Sequence, residues 1–348
     1  MNKPFVIGWD IGGAHLKAVQ TDAFGKVLAV SQVYCPLWRG LHELAQSMDS
    51  VLIEFKAGAH FVSHCVTMTG ELADIFPNRH TGVVQIAQFV AQKLPGEVMF
   101  YAGEKGFLSI DAVPTHTPYI ASMNWLASVQ TLAQNVQHAL FLDIGSTTTD
   151  IALICDSMPQ VLGFNDAARM QTDELVYTGV VRTPLMAIAQ KIVFNGNVVN
   201  VAAEHFATTA DVYTLTGDLP LAENMAETAD GDEKSIEASA RRIARMVGMD
   251  AVNAPLGVWR NLAYAFKHAQ LNQIKQAVLR QVSRLEEARD LAIIGCGTGD
   301  FLVVELAKQL GFRYQSVTDF IAAENVKTKE MAAVCFPAYA VAILGSQC

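Results

Sequence analysis

One short pattern occurs twice in the chain, and each copy is built around an aspartate. The first is Phe5-Val6-Ile7-Gly8-Trp9-Asp10-Ile11-Gly12-Gly13-Ala14-His15; the second is Ala139-Leu140-Phe141-Leu142-Asp143-Ile144-Gly145-Ser146-Thr147-Thr148-Thr149-Asp150. In both, an apolar run too short for a helix ends on the aspartate, passes through Ile-Gly and a small polar turn, and resumes as a second apolar run, which is the grammar of a hairpin. A carboxylate at the end of a buried strand can hold a hydrated magnesium ion or orient a nucleophile. Glycines at the turn, Gly12, Gly13 and Gly145, let backbone N–H groups approach an anion, and the hydroxyls of Ser146, Thr147, Thr148 and Thr149 add donors. One copy alone reads equally well as a tight turn with a capping aspartate. Two copies in matched order, about a domain apart, favour a duplicated phosphate grip.

Three further stretches carry candidate chemistry. Tyr177-Thr178-Gly179-Val180-Val181-Arg182-Thr183-Pro184-Leu185 sets one arginine in a Gly/Thr/Pro context, so Arg182 is either an anion clamp or a surface arginine. Ala73 to Gly82 is polar and turn-rich, and its Arg79 and His80 either meet a substrate phosphate or sit in a solvated loop. Ile293-Ile294-Gly295-Cys296-Gly297-Thr298-Gly299-Asp300 is a strand running into a glycine loop, where Asp300 is placed to cap the next helix and leave backbone donors exposed. His60 and His64 share one face of a predicted strand but lack a third ligand, so they are assigned to packing. Asp230-Gly231-Asp232-Glu233 lacks the full calcium-loop grammar and reads as a solvated connection.

Changes of hydrophobic period set out the scaffold around these residues. The first hairpin continues through a turn at Asp22 to Gly25 into a third strand, then a helix from Gly40 and a strand over 61–68, a βββαβ order. A helix is expected over Val83 to Leu94, a strand over Glu97 to Tyr101, a Pro- and Thr-rich loop, and a helix over Ile120 to Gln137, with Ala121 to Trp125 near the ligand. The second hairpin is followed by a third strand around Gln160 to Phe164, a polar connection over Leu215 to Glu237, and helices over Lys234 to Val247 and Val258 to Glu287. Helices over Phe301 to Leu310 and Met331 to Gly345 close the chain.

Composition bounds the alternatives. A chain of 348 residues with 51% hydrophobic and 17% charged residues is large enough for two cored domains. A net charge of −9 offers no general field for nucleic acid or anionic lipid, so any phosphate binding is local. The six cysteines form no Cys-x-x-Cys pair and lie mostly in apolar runs, with Cys296 in the glycine loop also read as structural. With no spanning run of about twenty apolar residues and no leader pattern, a reducing cytoplasm is expected.

The two hairpins and the loop at 293–299 together resemble the phosphate-1, phosphate-2 and adenosine motifs of the acetate and sugar kinase, heat-shock chaperone and actin superfamily. That resemblance implies an α/β protein of two ribonuclease-H-like domains of the actin-like ATPase type, with a ligand cleft between them. The first domain would hold 1–138 and the C-terminal helix 331–348, the second 139–330. It also places Glu71, in Met68-Thr69-Gly70-Glu71-Leu72-Ala73-Asp74, where many members carry a catalytic or water-positioning acid; a helix-capping role is the alternative. Gly295, Gly297, Thr298 and Gly299 would then meet a nucleotide.

The whole chain resembles, more narrowly, the hydantoinase/oxoprolinase-like proteins linked to tetrahydromethanopterin-dependent one-carbon transfer. The residues that carry this are Gly8 to Lys17, Met68 to Asp74 and Leu142 to Asp150. Archaeal members of that group join an aminomethylfuran methyl diphosphate to glutamyl-tyramine and release pyrophosphate. The resemblance implies a magnesium ion between Asp10 and Asp143, hairpin amides with His15 and Lys17 sharing the diphosphate charge, and Glu71 or Asp150 taking the phenol proton. The expected partners are a small-molecule diphosphate and an amine or phenol acceptor, with neither nucleic acid nor membrane involved and a homodimer left open. An ATP-dependent kinase or amidohydrolase, with ATP in the same hairpins, is the first alternative, and a nucleotide-dependent scaffold without chemistry the second.

Overall fold

The computed structural model of the chain describes residues 5–55, 62–287 and 291–348, so His60 lies outside the described residues. Up to His138 the elements are β1 (Phe5–Ile11), β2 (His15–Thr21), β3 (Val27–Tyr34), α1 (Leu41–Glu54), β4 (Val62–Met68), α2 (Arg79–Lys93), β5 (Glu97–Tyr101), β6 (Phe107–Leu108), α3 (Val113–Ile120) and α4 (Asn124–Ala133). They build a mixed sheet in the order β3-β2-β1-β4-β5-β6. β1, β2 and β3 run antiparallel, while β1, β4 and β5 run parallel. Every residue of β1 after Phe5 is buried, as a central strand covered on both faces requires.

From Ala139 the chain forms β7 (Ala139–Ile144), β8 (Thr149–Cys155), β9 (Met158–Pro159), α5 (Asp166–Thr172), β10 (Leu175–Val176), α6 (Leu185–Ile188), β11 (Lys191–Phe194), β12 (Asn197–Asn200), α7 (Thr209–Thr216), α8 (Ile236–Arg245), α9 (Leu256–Val282), β13 (Ala292–Cys296), α10 (Asp300–Leu310), β14 (Arg313–Ser316), α11 (Val326–Val334) and α12 (Phe336–Ser346). The second mixed sheet has the order β10-β8-β7-β13-β14.

Packing divides the chain into two compact units. One holds residues up to His138 with Ile154–Arg169 and Ser316–Cys348; the other holds Ala139–Leu153 and Met170–Gln315. Two stretches thus lie with the first unit, although sequence placed them in the second. Ile154 and Cys155 pair with Pro159 and Met158, and β9 packs on α4. The chain also returns to the first sheet before residue 331, because the Val27 N–H donates to the Ala322 carbonyl at 2.8 Å. The C-terminal helix α12 then lies on β1, where Gly8 has no room for a Cβ beneath the Ala338 carbonyl.

Several expected elements moved for identifiable reasons. Helix α2 begins at Arg79 because the Asn78 side chain caps it, accepting from the Thr81 N–H at 2.9 Å. The Pro/Thr stretch is helix α3, with Pro114 in the first turn, where no N–H is missed, and a kink at His116. No strand forms over 160–164: the third strand, β9, ends at Pro159, and Gly163 lies against the Ala168–Arg169 backbone. The final helix is broken at Cys335 into α11 and α12, with Pro337 in the first turn of the latter. Asp230 and Asp232 pair with Arg242 and Arg241, which accounts for that acidic cluster without calcium. The ribbon β11–β12, whose Phe194 stacks on Trp259 at 5.7 Å, and helix α7 were not anticipated. No described helix is long and apolar enough to cross a membrane.

Candidate functional site

In the first unit Asp10 sits near the end of β1, buried, opposite Lys17 of β2 and Thr67 of β4. The turn after it is closed by the Gly12 N–H donating to the His15 carbonyl at 3.0 Å. The strand β4 leaves the sheet directly against this turn: the Thr69 N–H donates to the Ile11 carbonyl at 2.9 Å. A Cβ on Gly70 would sit 3.1 and 3.2 Å from the carbonyl oxygens of Ile11 and Gly12, and this close approach delivers Glu71 beside the turn. Gly13 has open space where a Cβ would be. His15 is buried with its ring edge-on to Tyr34, and the Lys17 ammonium donates to the Val334 carbonyl at 2.8 Å, at the end of α11.

Glu71 is 1% exposed. Its Oε1 accepts from the Ser122 hydroxyl at 2.7 Å, and its Oε2 makes no hydrogen bond to another described side chain. Burial pushes its carboxyl up to about 7, against the lowering effects of the Ser122 hydroxyl and the Arg79 charge. Arg79 pairs with Asp166 at 2.6 Å, so it is neither a solvated loop residue nor an isolated cation; His80 is joined to Thr117 at 3.0 Å. His64 accepts from the Trp9 indole at 3.1 Å and is held neutral, with burial pushing it down to about 4, as a packing histidine should be.

The second unit repeats this geometry. Asp143 is half-buried at the end of β7, opposite Cys296 of β13, and the Gly145 N–H donates to the Thr148 carbonyl at 2.9 Å. The loop after β13 lies against the turn, with the Gly299 N–H donating to the Ile144 carbonyl at 2.8 Å. Gly297 has a positive φ of 85°, and any side chain there would overlap the Asp143 carboxylate. Gly295 presses on the Asp300 carboxyl and Gly299 on Ile144, so this loop braces Asp143. Asp300 does not cap α10. Gly299 holds the cap position, and Asp300 Oδ2 instead accepts from the Tyr314 hydroxyl at 2.5 Å.

The other side of the second turn is held by the 178–183 segment. The N–H groups of Val180, Val181 and Arg182 donate to the carbonyls of Gly145 and Ser146 at 2.8–3.1 Å. The Gly179 carbonyl accepts from Thr183, Thr209 and Gln270, and Gly179 itself abuts the Thr147 amide with no room for a Cβ. Ser146, Thr147 and Thr148 remain half-buried on the turn, and Arg182 is exposed. The Thr149 hydroxyl donates to the Thr178 carbonyl at 2.7 Å, and Asp150 stands opposite Leu175 on β8. Thr298 is half-buried at the loop tip.

The candidates therefore fall into two groups. Asp10, Gly12, Gly13, His15 and Glu71 cluster about the first turn, and Asp143, Gly145 to Thr148, Arg182 and Gly295 to Gly299 about the second. Sequence set Ser122 only within a stretch near the ligand and offered Arg79 a substrate phosphate; the Ser122–Glu71 hydrogen bond and the Arg79–Asp166 pair were not anticipated. No group of three or more His, Cys, Asp or Glu among the described residues could hold a metal.

Two mixed sheets, each with an aspartate-ended strand, a Gly-closed turn and a parallel neighbour whose loop returns to that turn, define two ribonuclease-H-like domains of the actin-like ATPase class. Acetone carboxylase, solved in a nucleotide-free state, has the same fold: its TM-score is 0.62 at 10% identity, over 98% of this chain and 70% of that one. Within this class the chain belongs to the hydantoinase/oxoprolinase family, whose model matches residues 63–327. The (4-{4-[2-(gamma-L-glutamylamino)ethyl]phenoxymethyl}furan-2-yl)methanamine synthase of Methanocaldococcus jannaschii is 30% identical over 250 residues, 71% of this chain and 73% of that protein. The synthase of the same name from Methanococcus vannielii is 29% identical over 167 residues, 48% of this chain and 74% of that protein.

Proposed function

We propose that the chain is an enzyme of methanofuran-type cofactor biosynthesis that condenses an aminomethylfuran methyl diphosphate with a tyramine derivative and releases pyrophosphate. The product named for the relatives contains a phenoxymethyl-furan ether, so the bond to be made is between a phenol oxygen and a furan methylene. The observation that carries the reading is Glu71, a buried carboxyl beside the first turn whose proton affinity lies near neutrality. That is what a group taking a proton from a phenol at physiological pH requires.

The phenol O–H gives its proton to the Glu71 carboxylate; the phenol oxygen forms the new C–O bond to the methylene. The methylene–diphosphate C–O bond breaks, and pyrophosphate leaves with the electron pair. Turn amides at Gly13 in the first unit, or at Ser146 to Thr148 in the second, are the proposed donors to phosphate oxygens, with Arg182 proposed as a further cation. A magnesium ion bound with the diphosphate would supply charge neutralisation, and a strand-end carboxylate, as Asp10 is in the first unit or Asp143 in the second, is its proposed ligand.

The test is to supply both substrates with magnesium and look for the ether by mass spectrometry together with pyrophosphate. Stoichiometric ether and pyrophosphate support the reading. Phosphate release from ATP, with no ether formed, overturns it in favour of an ATP-dependent kinase or amidohydrolase.

A further inference from the structure

Five described non-glycine residues have positive φ, and of these Asp156, Ser157 and Asn195 are exposed and Asp173 is half-buried. Ser122, with φ 54°, is the buried one. It has little freedom to be elsewhere: Ala121 before it bridges to Met68 at the end of β4, and Asn124 after it opens α4. The left-handed conformation that results is one a glycine would adopt without strain. Strain of this kind persists where the surrounding structure holds a residue to a task.

What the conformation achieves is a hydroxyl 2.7 Å from Glu71 Oε1. We propose that Ser122 is a positioning residue for the ether-forming step, its hydroxyl fixing Oε1 so that Oε2 is the oxygen that takes the phenol proton. The inference rests on Glu71 as the proton acceptor in the proposed reaction. The charged groups acting on Glu71 are Arg79, in the first turn of α2, and Asp166, in the first turn of α5, and they are paired with each other. Their influences on Glu71 have opposite signs, so burial and the Ser122 hydroxyl set its proton affinity.

The test is Ser122→Gly, which removes the hydroxyl and suits the backbone. A purely structural Ser122 would leave turnover untouched or improve stability. A positioning Ser122 gives a thermal midpoint no lower than wild type, a KM for the furan diphosphate that is unchanged, and a kcat lower by about ten- to a hundredfold, the worth of one hydrogen bond to a charged group. The acidic limb of the kcat–pH profile moves to higher pH, because the carboxylate has lost a donor. Unchanged kcat and an unmoved limb overturn the proposal.

A second readout is independent of the substrates. With glutamate labelled at the δ-carboxyl, the carbon resonance that disappears in Glu71→Gln is titrated in wild type and in Ser122→Gly. An upward shift upholds the pairing, and an unmoved titration overturns it. If wild type makes no ether at all, the reading of the reaction falls, while this titration still decides whether Ser122 governs Glu71.

Discussion

A carboxyl buried as Glu71 is should leave its mark on stability as well as on rate. In the folded protein it titrates at about 7, whereas in the unfolded chain it would titrate near its ordinary 4.5. Between these values the native state keeps a proton that the unfolded state has released, so stability falls as pH rises through this window. The cost is absent below the lower value and complete above the upper one, where it reaches about 3 kcal/mol. Glu71→Gln removes the charge but keeps the shape. Urea unfolding should find the variant equal to wild type at low pH and more stable by about 3 kcal/mol in mildly alkaline buffer. An identical difference at both pH values would mean that Glu71 is not held protonated. The same variant should lose roughly a hundredfold in ether formation. Asp10→Asn and Asp143→Asn should each depress that activity too, and full activity in both would remove the diphosphate reading. Glu71 was legible only through the superfamily resemblance carried by Met68 to Asp74. Its partner Ser122, 51 positions away, and the Arg79–Asp166 pair, 87 positions apart, were not, since only folding brings them together.

At the scale of elements, the second turn is held by the 178–183 segment, whose Gly/Thr/Pro setting drew notice in the sequence only for Arg182. Gly179 is the point of contact, and a methyl there would overlap the Thr147 amide. Gly179→Ala should therefore cost about 1–3 kcal/mol by overpacking. It should also weaken binding of magnesium pyrophosphate by calorimetry, because the displaced amides are the proposed donors. A loss of stability with unchanged binding would separate the turn from the ligand. By contrast, Asn78→Ala should cost about 1 kcal/mol through the lost cap of α2. The turns themselves were readable because the apolar run, Asp-Ile-Gly and small polar turn occur twice in matched order. Helix α3 was not, because Pro114 and its threonines are equally at home in a loop. Nor was the ribbon β11–β12, whose Val193 and Val198 face solvent and give no core periodicity.

On the scale of the whole chain, the duplicated pattern and the two mixed sheets agree on the fold class, and what sequence could not place was where the chain changes unit. That depends on contacts such as Val27 with Ala322, which no local pattern announces. Gly8 is the sharpest of these long-range fits. Gly8→Ala would drive a methyl into the Ala338 carbonyl and force α12 off β1, so soluble yield should collapse. The same packing has a consequence for synthesis. The first unit draws its central strand from residues 5–11 and the helix that covers it from residues 336–346, whereas nothing beyond Gln315 belongs to the second. During translation the second unit has all its residues first, and nascent chains arrested before Phe336 should show it protected from protease while β1 stays open to attack and to chaperones. Of the two units, the one whose central strand is made earlier is the one completed later.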